Sequence, residues 1–150
     1  MKQIKDIKNK ISWEKYYNPD FYWGDLEFYR ENKLTEDFIR EFQDKVHWLP
    51  ISEYQTLSED FIREFKNKVY WFNISKVQKL SENFIREFKD KVYWNVISEC
   101  QELSENFIRE FKDKVDWNMI SKYQTLSEDF KEEFKNNYIR YDYEADYETD

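Results

Sequence analysis

Leucines at positions 34, 57, 80, 103 and 126 recur at a constant spacing of 23 residues. This period restricts the chain to a repeat array, because a unit so short cannot bury a core alone and must borrow one from its neighbours. The units opening at Leu80 and Leu103 agree at 18 of 23 positions. Across the four full units, 13 positions never change, in the pattern L-x-E-x-F-I-R-E-F-x-x-K-V-x-W-x-x-I-S-x-x-Q-x. One glycine and two prolines leave few sharp turns. That scarcity argues against β-sandwiches, β-helices and glycine-looped nucleotide folds.

Each unit reads as two helices. Ser58 is a good N-cap, with Glu59 and Asp60 placed to complement the helix dipole. Leu57 and Ile62 have the spacing of a hydrophobic staple. Phe61, Ile62, Phe65 and Val69 fall on an apolar stripe roughly 100° wide. Glu59 with Arg63, and Glu64 with Lys68, are i,i+4 pairs in the favourable order. In the shorter second segment, Asp116 to Gln124, Trp117, Ile120 and Tyr123 form one apolar edge. Pro50 falls where a helix's first turn tolerates it. A strand is the rival there, since VYWNVIS is rich in β formers. The leucine-rich frames that would accompany such a strand are absent, so helix is the reading taken. The fold class is therefore all-α: an α-solenoid of two-helix repeats with degenerate half-units as caps, its second helices lining the concave side.

The ends depart from the pattern. Residues 1–33 form a degenerate first unit, in which KNKISW (Lys8 to Trp13) matches KNKVYW (Lys66 to Trp71). An aromatic insertion follows, with Tyr16, Tyr17, Phe21, Tyr22 and Trp23 around Asn18-Pro19-Asp20 and Gly24. Residues 126–140 are a cap helix, because Lys131 replaces the isoleucine of Ile39, Ile62, Ile85 and Ile108. Residues 141–150, YDYEADYETD, are an acidic tail that is expected to fray. No secretory segment and no long apolar run is visible, so a soluble, cytoplasmic protein without membrane contact is expected.

An LSEDFIREFKDKVDW-type run, seen from Leu103 to Trp117 with asparagine at its fourth place and followed by IS-x-Y-Q, resembles short-repeat proteins of large DNA viruses of the mimivirus kind and of phages. The resemblance covers residues 34–138. It implies a viral source, a helical-repeat fold and a host-cytoplasmic setting, but no assigned biochemistry. The aromatic insertion and the acidic tail depart from it.

The inventory for catalysis is poor. The single histidine, His47, sits where other units have Tyr70, Tyr93 and Asp116, and reads as exposed and variable. Cys100 shares a position with Tyr54, Val77 and Tyr123 and reads as partly buried packing. No phosphate loop, metal-ligand spacing or nucleophile–base set is present, so no catalytic residue, metal or cofactor is assigned. Arg40, Arg63, Arg86 and Arg109 have two readings. Each pairs with the glutamate four residues earlier (Glu36, Glu59, Glu82, Glu105), or together they form a guanidinium ladder for anionic groups. Trp48, Trp71, Trp94 and Trp117 read as wedges between units rather than base-stacking platforms.

Residues 1–33 carry +1, the four units −3, +2, −2 and 0, and residues 126–150 carry −6, within a chain total of −8. Nucleic-acid binding wants a basic stripe, which is missing from these sums, so nucleic acid is not expected as a partner. Binding along an extended surface is what remains. Candidate partner-binding positions are those that vary on the fixed scaffold: His47, Tyr70, Tyr93 and Asp116 before each tryptophan, Leu49, Phe72, Asn95 and Asn118 after it, and the Glu53, Lys76, Glu99, Lys122 row. The first expectation is a non-enzymatic scaffold that binds a host or viral protein, its counter-defence role resting on the resemblance. A second is a small anionic ligand (nucleotide) binder using the four arginines with Tyr16, Tyr17, Tyr22 and Trp23. A third is a self-assembling structural protein.

Overall fold

The computed structural model describes residues 16–137. Among them are ten short α-helices, a further helical turn at 135–137, and no strand. α1 (Leu26–Glu31) is followed by four pairs: α2 (Glu36–Glu41) with α3 (Trp48–Tyr54), α4 (Glu59–Glu64) with α5 (Trp71–Val77), α6 (Glu82–Glu87) with α7 (Trp94–Cys100), and α8 (Glu105–Glu110) with α9 (Trp117–Tyr123). α10 (Glu128–Glu133) and the helical turn at 135–137 close the described array. The second segment of every unit is therefore helical. The acidic tail and the end of the expected cap helix lie outside the described residues.

Local chemistry sets the helix starts. In α4, Ser58 is extended at φ −72° and its side chain accepts from the Phe61 amide. In an ordinary capping box a glutamate of the same helix would take the Ser58 N–H. Here the preceding unit supplies it: Glu36 Oε1 accepts from Ser58 N at 2.7 Å. Glu59, Glu82 and Glu105 do the same for Ser81, Ser104 and Ser127. The first helices stop sooner than the stripe to Val69 suggests. Phe65 caps α4 at φ −107°, and a further turn closed by the Val69 N–H on the Phe65 carbonyl turns Val69 into the core.

The core is one continuous file of apolar side chains contributed by every unit. Phe61, Ile62, Phe84, Ile85, Phe107 and Ile108 are fully buried, and Leu57, Leu80 and Leu103 staple the helix starts. Each tryptophan fills the gap between units: the Trp48 ring lies 4.9 Å from that of Phe65 and 6.3 Å from that of Phe61, both in the next unit. Its indole N–H donates to the Gln43 carbonyl, so the polar end is satisfied as the ring packs. Trp71, Trp94 and Trp117 repeat the arrangement. Successive second helices (α1, α3, α5, α7, α9) pack closely on one another, and no pair of first helices approaches as extensively.

Two polar ladders join the units. Gln78 Oε1 accepts from the Leu57 N–H of its own unit at 3.0 Å. Its Nε2 donates to the Gln55 and Ser52 carbonyls at the end of the preceding second helix, at 2.8 and 3.4 Å. Those carbonyls have no partner inside their own helix. Gln55, Gln101 and Gln124 repeat the scheme. The second ladder is of serines. Ser52 Oγ donates to the Trp48 carbonyl and accepts from Tyr70 N–H, the first residue of the next cap, and Ser75 and Ser98 follow suit.

From residue 16 onward the described N-terminal residues keep the register of the array rather than interrupting it. Counting back 23 residues from Ile39 and Ser52 reaches Tyr16 and Tyr29. Tyr16 is buried like Ile39. Tyr29 OH accepts from His47 N–H at 2.9 Å and donates to the Trp23 carbonyl, doing the work of the serine. Trp23 packs 5.1 Å from Phe42, in the manner of the later tryptophans.

Candidate functional site

The invariant polar side chains are engaged within the array, so the surface open to a partner is the variable one. The structure brings most of the variable candidates together. Residues at the start of α3, α5 and α7 form a ridge: Leu49, Tyr70, Phe72 and Tyr93 are 42%, 48%, 45% and 48% exposed. Phe72 and Tyr93 touch edge to face across a unit boundary, with centroids 5.5 Å apart. A shallow groove runs beside Leu49 and Tyr70, floored by Trp48 and Pro50 and flanked by His47 and Lys68. Leu26, 50% exposed and one unit before Leu49, extends the ridge to α1. Sequence reasoning missed it because its unit was read as an insertion.

The ridge becomes polar toward the C-terminus. Asn95 and Asn118 are exposed, and Asp116 turns inward to cap α9 through its carboxylate. His47 is exposed beside the Tyr29 ring. The Glu53, Lys76, Glu99, Lys122 row lies further along the same helices, Glu53 half-buried and the others exposed. Two sequence readings need correction here. Tyr123 is not part of the apolar edge with Trp117 and Ile120: it is 47% exposed, as Val77 is 46%. Cys100 shares their exposed row rather than a packing site, although partial desolvation still pushes its thiol pKa up.

The arginines do not form an open anion ladder. Arg40 donates through Nε to Glu64 of the next unit at 2.8 Å and pairs with Asp37 at 3.1 Å and Glu36 at 3.6 Å. Its guanidinium also lies 5.0 Å above the Phe61 ring. Arg63, Arg86 and Arg109 make the same unit-to-unit bond to Glu87, Glu110 and Glu133. For Arg40, Arg63 and Arg109 the acceptor raises the guanidinium pKa further. Tyr17 takes the arginine's place in the first unit, its hydroxyl donating to Glu41 at 2.9 Å. Tyr16 and Trp23, read as ligand residues, are packing residues instead. Tyr22 stands 75% exposed against Gly24. Among the described residues, no one groove is lined by these groups together.

Spatial sorting also changes the charge picture. In every full unit the turn between first and second helix lies on one edge of the array, and in the last three units lysines outnumber aspartates there. Lys66, Lys89 and Lys112 are exposed at the same place in three successive units. Their carbonyls are held by the indoles of Trp71, Trp94 and Trp117. The unit sums conceal this basic edge because most of each unit's acids sit elsewhere, although Asp44, Asp90 and Asp113 share the turns.

Among the described residues there is no cluster of three or more candidate metal ligands. No described helix is long and apolar enough to cross a membrane. No protein-family model, curated protein or solved structure matches the chain.

Proposed function

We propose that the chain is a non-enzymatic protein-binding scaffold that holds a partner along the ridge of Leu26, Leu49, Tyr70, Phe72 and Tyr93. One observation carries the reading. These large apolar side chains stay exposed in a line across successive units, while the invariant polar residues are committed to neighbouring units. Lines of exposed aromatics on a rigid support are suited to anchoring an interface. The resemblance to viral repeat proteins adds a host protein, including a defence factor, as the source of the partner.

The test is capture from host lysate by the tagged protein, run beside Tyr70→Ala/Tyr93→Ala and Arg63→Ala variants. A protein retained in fixed stoichiometry by the parent and by Arg63→Ala, but released by the tyrosine pair, supports the ridge. Equal retention by all three contradicts it. Truncation of these exposed rings changes stability by no more than about 0.5 kcal/mol, so a melting curve checks that the released variant is folded.

A further inference from the structure

The basic edge has no part in the ridge reading and stands independently of it. Lys66, Lys89 and Lys112 have no carboxylate within ion-pair distance among the described residues, whereas Lys68 and Lys114 one row over are paired with Asp44 and Asp90. Units packed helix on helix stand about 8–10 Å apart, which sets the spacing of these ammonium groups. Seven lysines against three aspartates (Asp44, Asp90 and Asp113) leave these turns net basic in a chain of net charge −8, and the larger acidic excess lies elsewhere.

That complement starts at the same edge. The Asn137 amide donates to the Phe134 carbonyl as Lys114 does to Phe111 and Lys91 to Phe88. Asn137 thus occupies the lysine position of the last turn, and the described chain ends there. The sequence that follows has acids at every second residue: Asp142, Glu144, Asp146, Glu148 and Asp150. In extended conformation such residues share one face, about 6.6–7 Å apart, and a 13-residue segment reaches about 43 Å from Tyr138 to Asp150. Lys112, Lys89 and Lys66 lie within that reach. Tethering holds such a segment at millimolar effective concentration.

We propose that the lysine edge is a docking surface for acidic polypeptide, and that its occupant is the chain's own segment 142–150. Docking places carboxylates along Lys112, Lys89 and Lys66 and shields the edge from other polyanions. The segment then acts as a built-in competitor that an external polyanion must displace.

Carbodiimide coupling, which joins amines to touching carboxylates, tests this on the full chain. An equal mixture of 15N-labelled and unlabelled protein is coupled and mapped by mass spectrometry. The expected products join the acids at 142–150 to Lys66, Lys89 or Lys112 within a single isotopic chain, with yield falling severalfold in about 0.5 M salt. Mixed-isotope products, coupling of these acids to other lysines, or no coupling would overturn the proposal. A second readout does not depend on edge variants folding. In D142N/E144Q/D146N/E148Q/D150N, acetylation of Lys66, Lys89 and Lys112 should quicken severalfold while Lys76 and Lys122 keep their rates. An oligothymidylate that binds this variant and the parent equally would show an edge serving phosphate backbones without a resident acid, and would also overturn it.

Discussion

The first unit and the central units accomplish the same joins with different residues. Between central units, Ser75 receives the Tyr93 N–H and Trp71 fills the gap beneath. At the N-terminal end, Tyr29 receives the His47 N–H and Trp23 fills the gap from a site nearer the turn, while Tyr17 takes the arginine's carboxylate. What persists is the need of the neighbour: a backbone N–H to accept and a cavity to fill. The residue type is free to change wherever another side chain reaches the same atom. The C-terminal end differs from both. There Lys131 replaces the buried isoleucine and bonds to Glu128 at 2.7 Å in solvent.

The largest break in this comparison comes from moving the end into the middle. Ile85→Lys would put an ammonium where the fully buried Ile85 side chain lies, and should cost more than about 4 kcal/mol. Urea denaturation should show the array splitting or unfolding. The reciprocal change Lys131→Ile should leave stability nearly unchanged.

Gln78→Leu comes next. It keeps the approximate volume but strands the Leu57 N–H and the Ser52 and Gln55 carbonyls. Leaving buried partners unsatisfied costs about 1–3 kcal/mol each, with solvent access and relaxation reducing the total, so a loss of about 3 kcal/mol in urea denaturation is expected. Tyr29→Phe and Ser75→Ala sharpen the comparison directly. Each strands one cap N–H, and each should lower stability by about 1–3 kcal/mol. Equal losses would confirm that the two residues hold the same position in the array.

The smallest effect is that of acid. The Ser127 N–H, then its hydroxyl, then Arg109 hold the Glu105 carboxyl below its ordinary 4.5. A carboxyl lowered by folding contributes fully above its unfolded value and loses that contribution as pH falls through the folded one. The urea midpoint should therefore drop as pH falls below about 4.5, and Glu105→Gln should flatten the Glu105 part of that drop. Proton titration of the midpoint from pH 7 to pH 3 measures it.

Helix starts and the tryptophan wedges were legible in the sequence because their signals are local or strictly periodic. Ser58 before two acids announces a cap, and a tryptophan at one fixed place per unit announces a wedge. Gln78 and Ser52 were not legible as bridges. Their partners are backbone atoms 18 to 26 residues away, and no side-chain pattern encodes a backbone acceptor. Their signal was the invariance of two polar residues in a segment whose other invariant residues, tryptophan and isoleucine, are apolar. Tyr123 was misread because three-residue spacing drifts off a helix face within two turns. The lysine edge escaped because charge summed along a unit adds the first-helix acids to the net basic turns. At the candidate site the variable ridge was legible from the alternation of Leu49, Phe72, Asn95 and Asn118, and only Leu26 was lost with its unit.

Hydrogen exchange resolved to single amides tests the joins between units most directly. Leu57, Leu80 and Leu103 lie between helices, where an amide without a partner exchanges quickly. If glutamine carries them, they should exchange as slowly as Ile62 and Ile85 inside the helices, and Gln78→Leu should release Leu57 before Leu103. Exchange of all three at the rate of open loops would contradict the polar ladder and the solenoid register built on it.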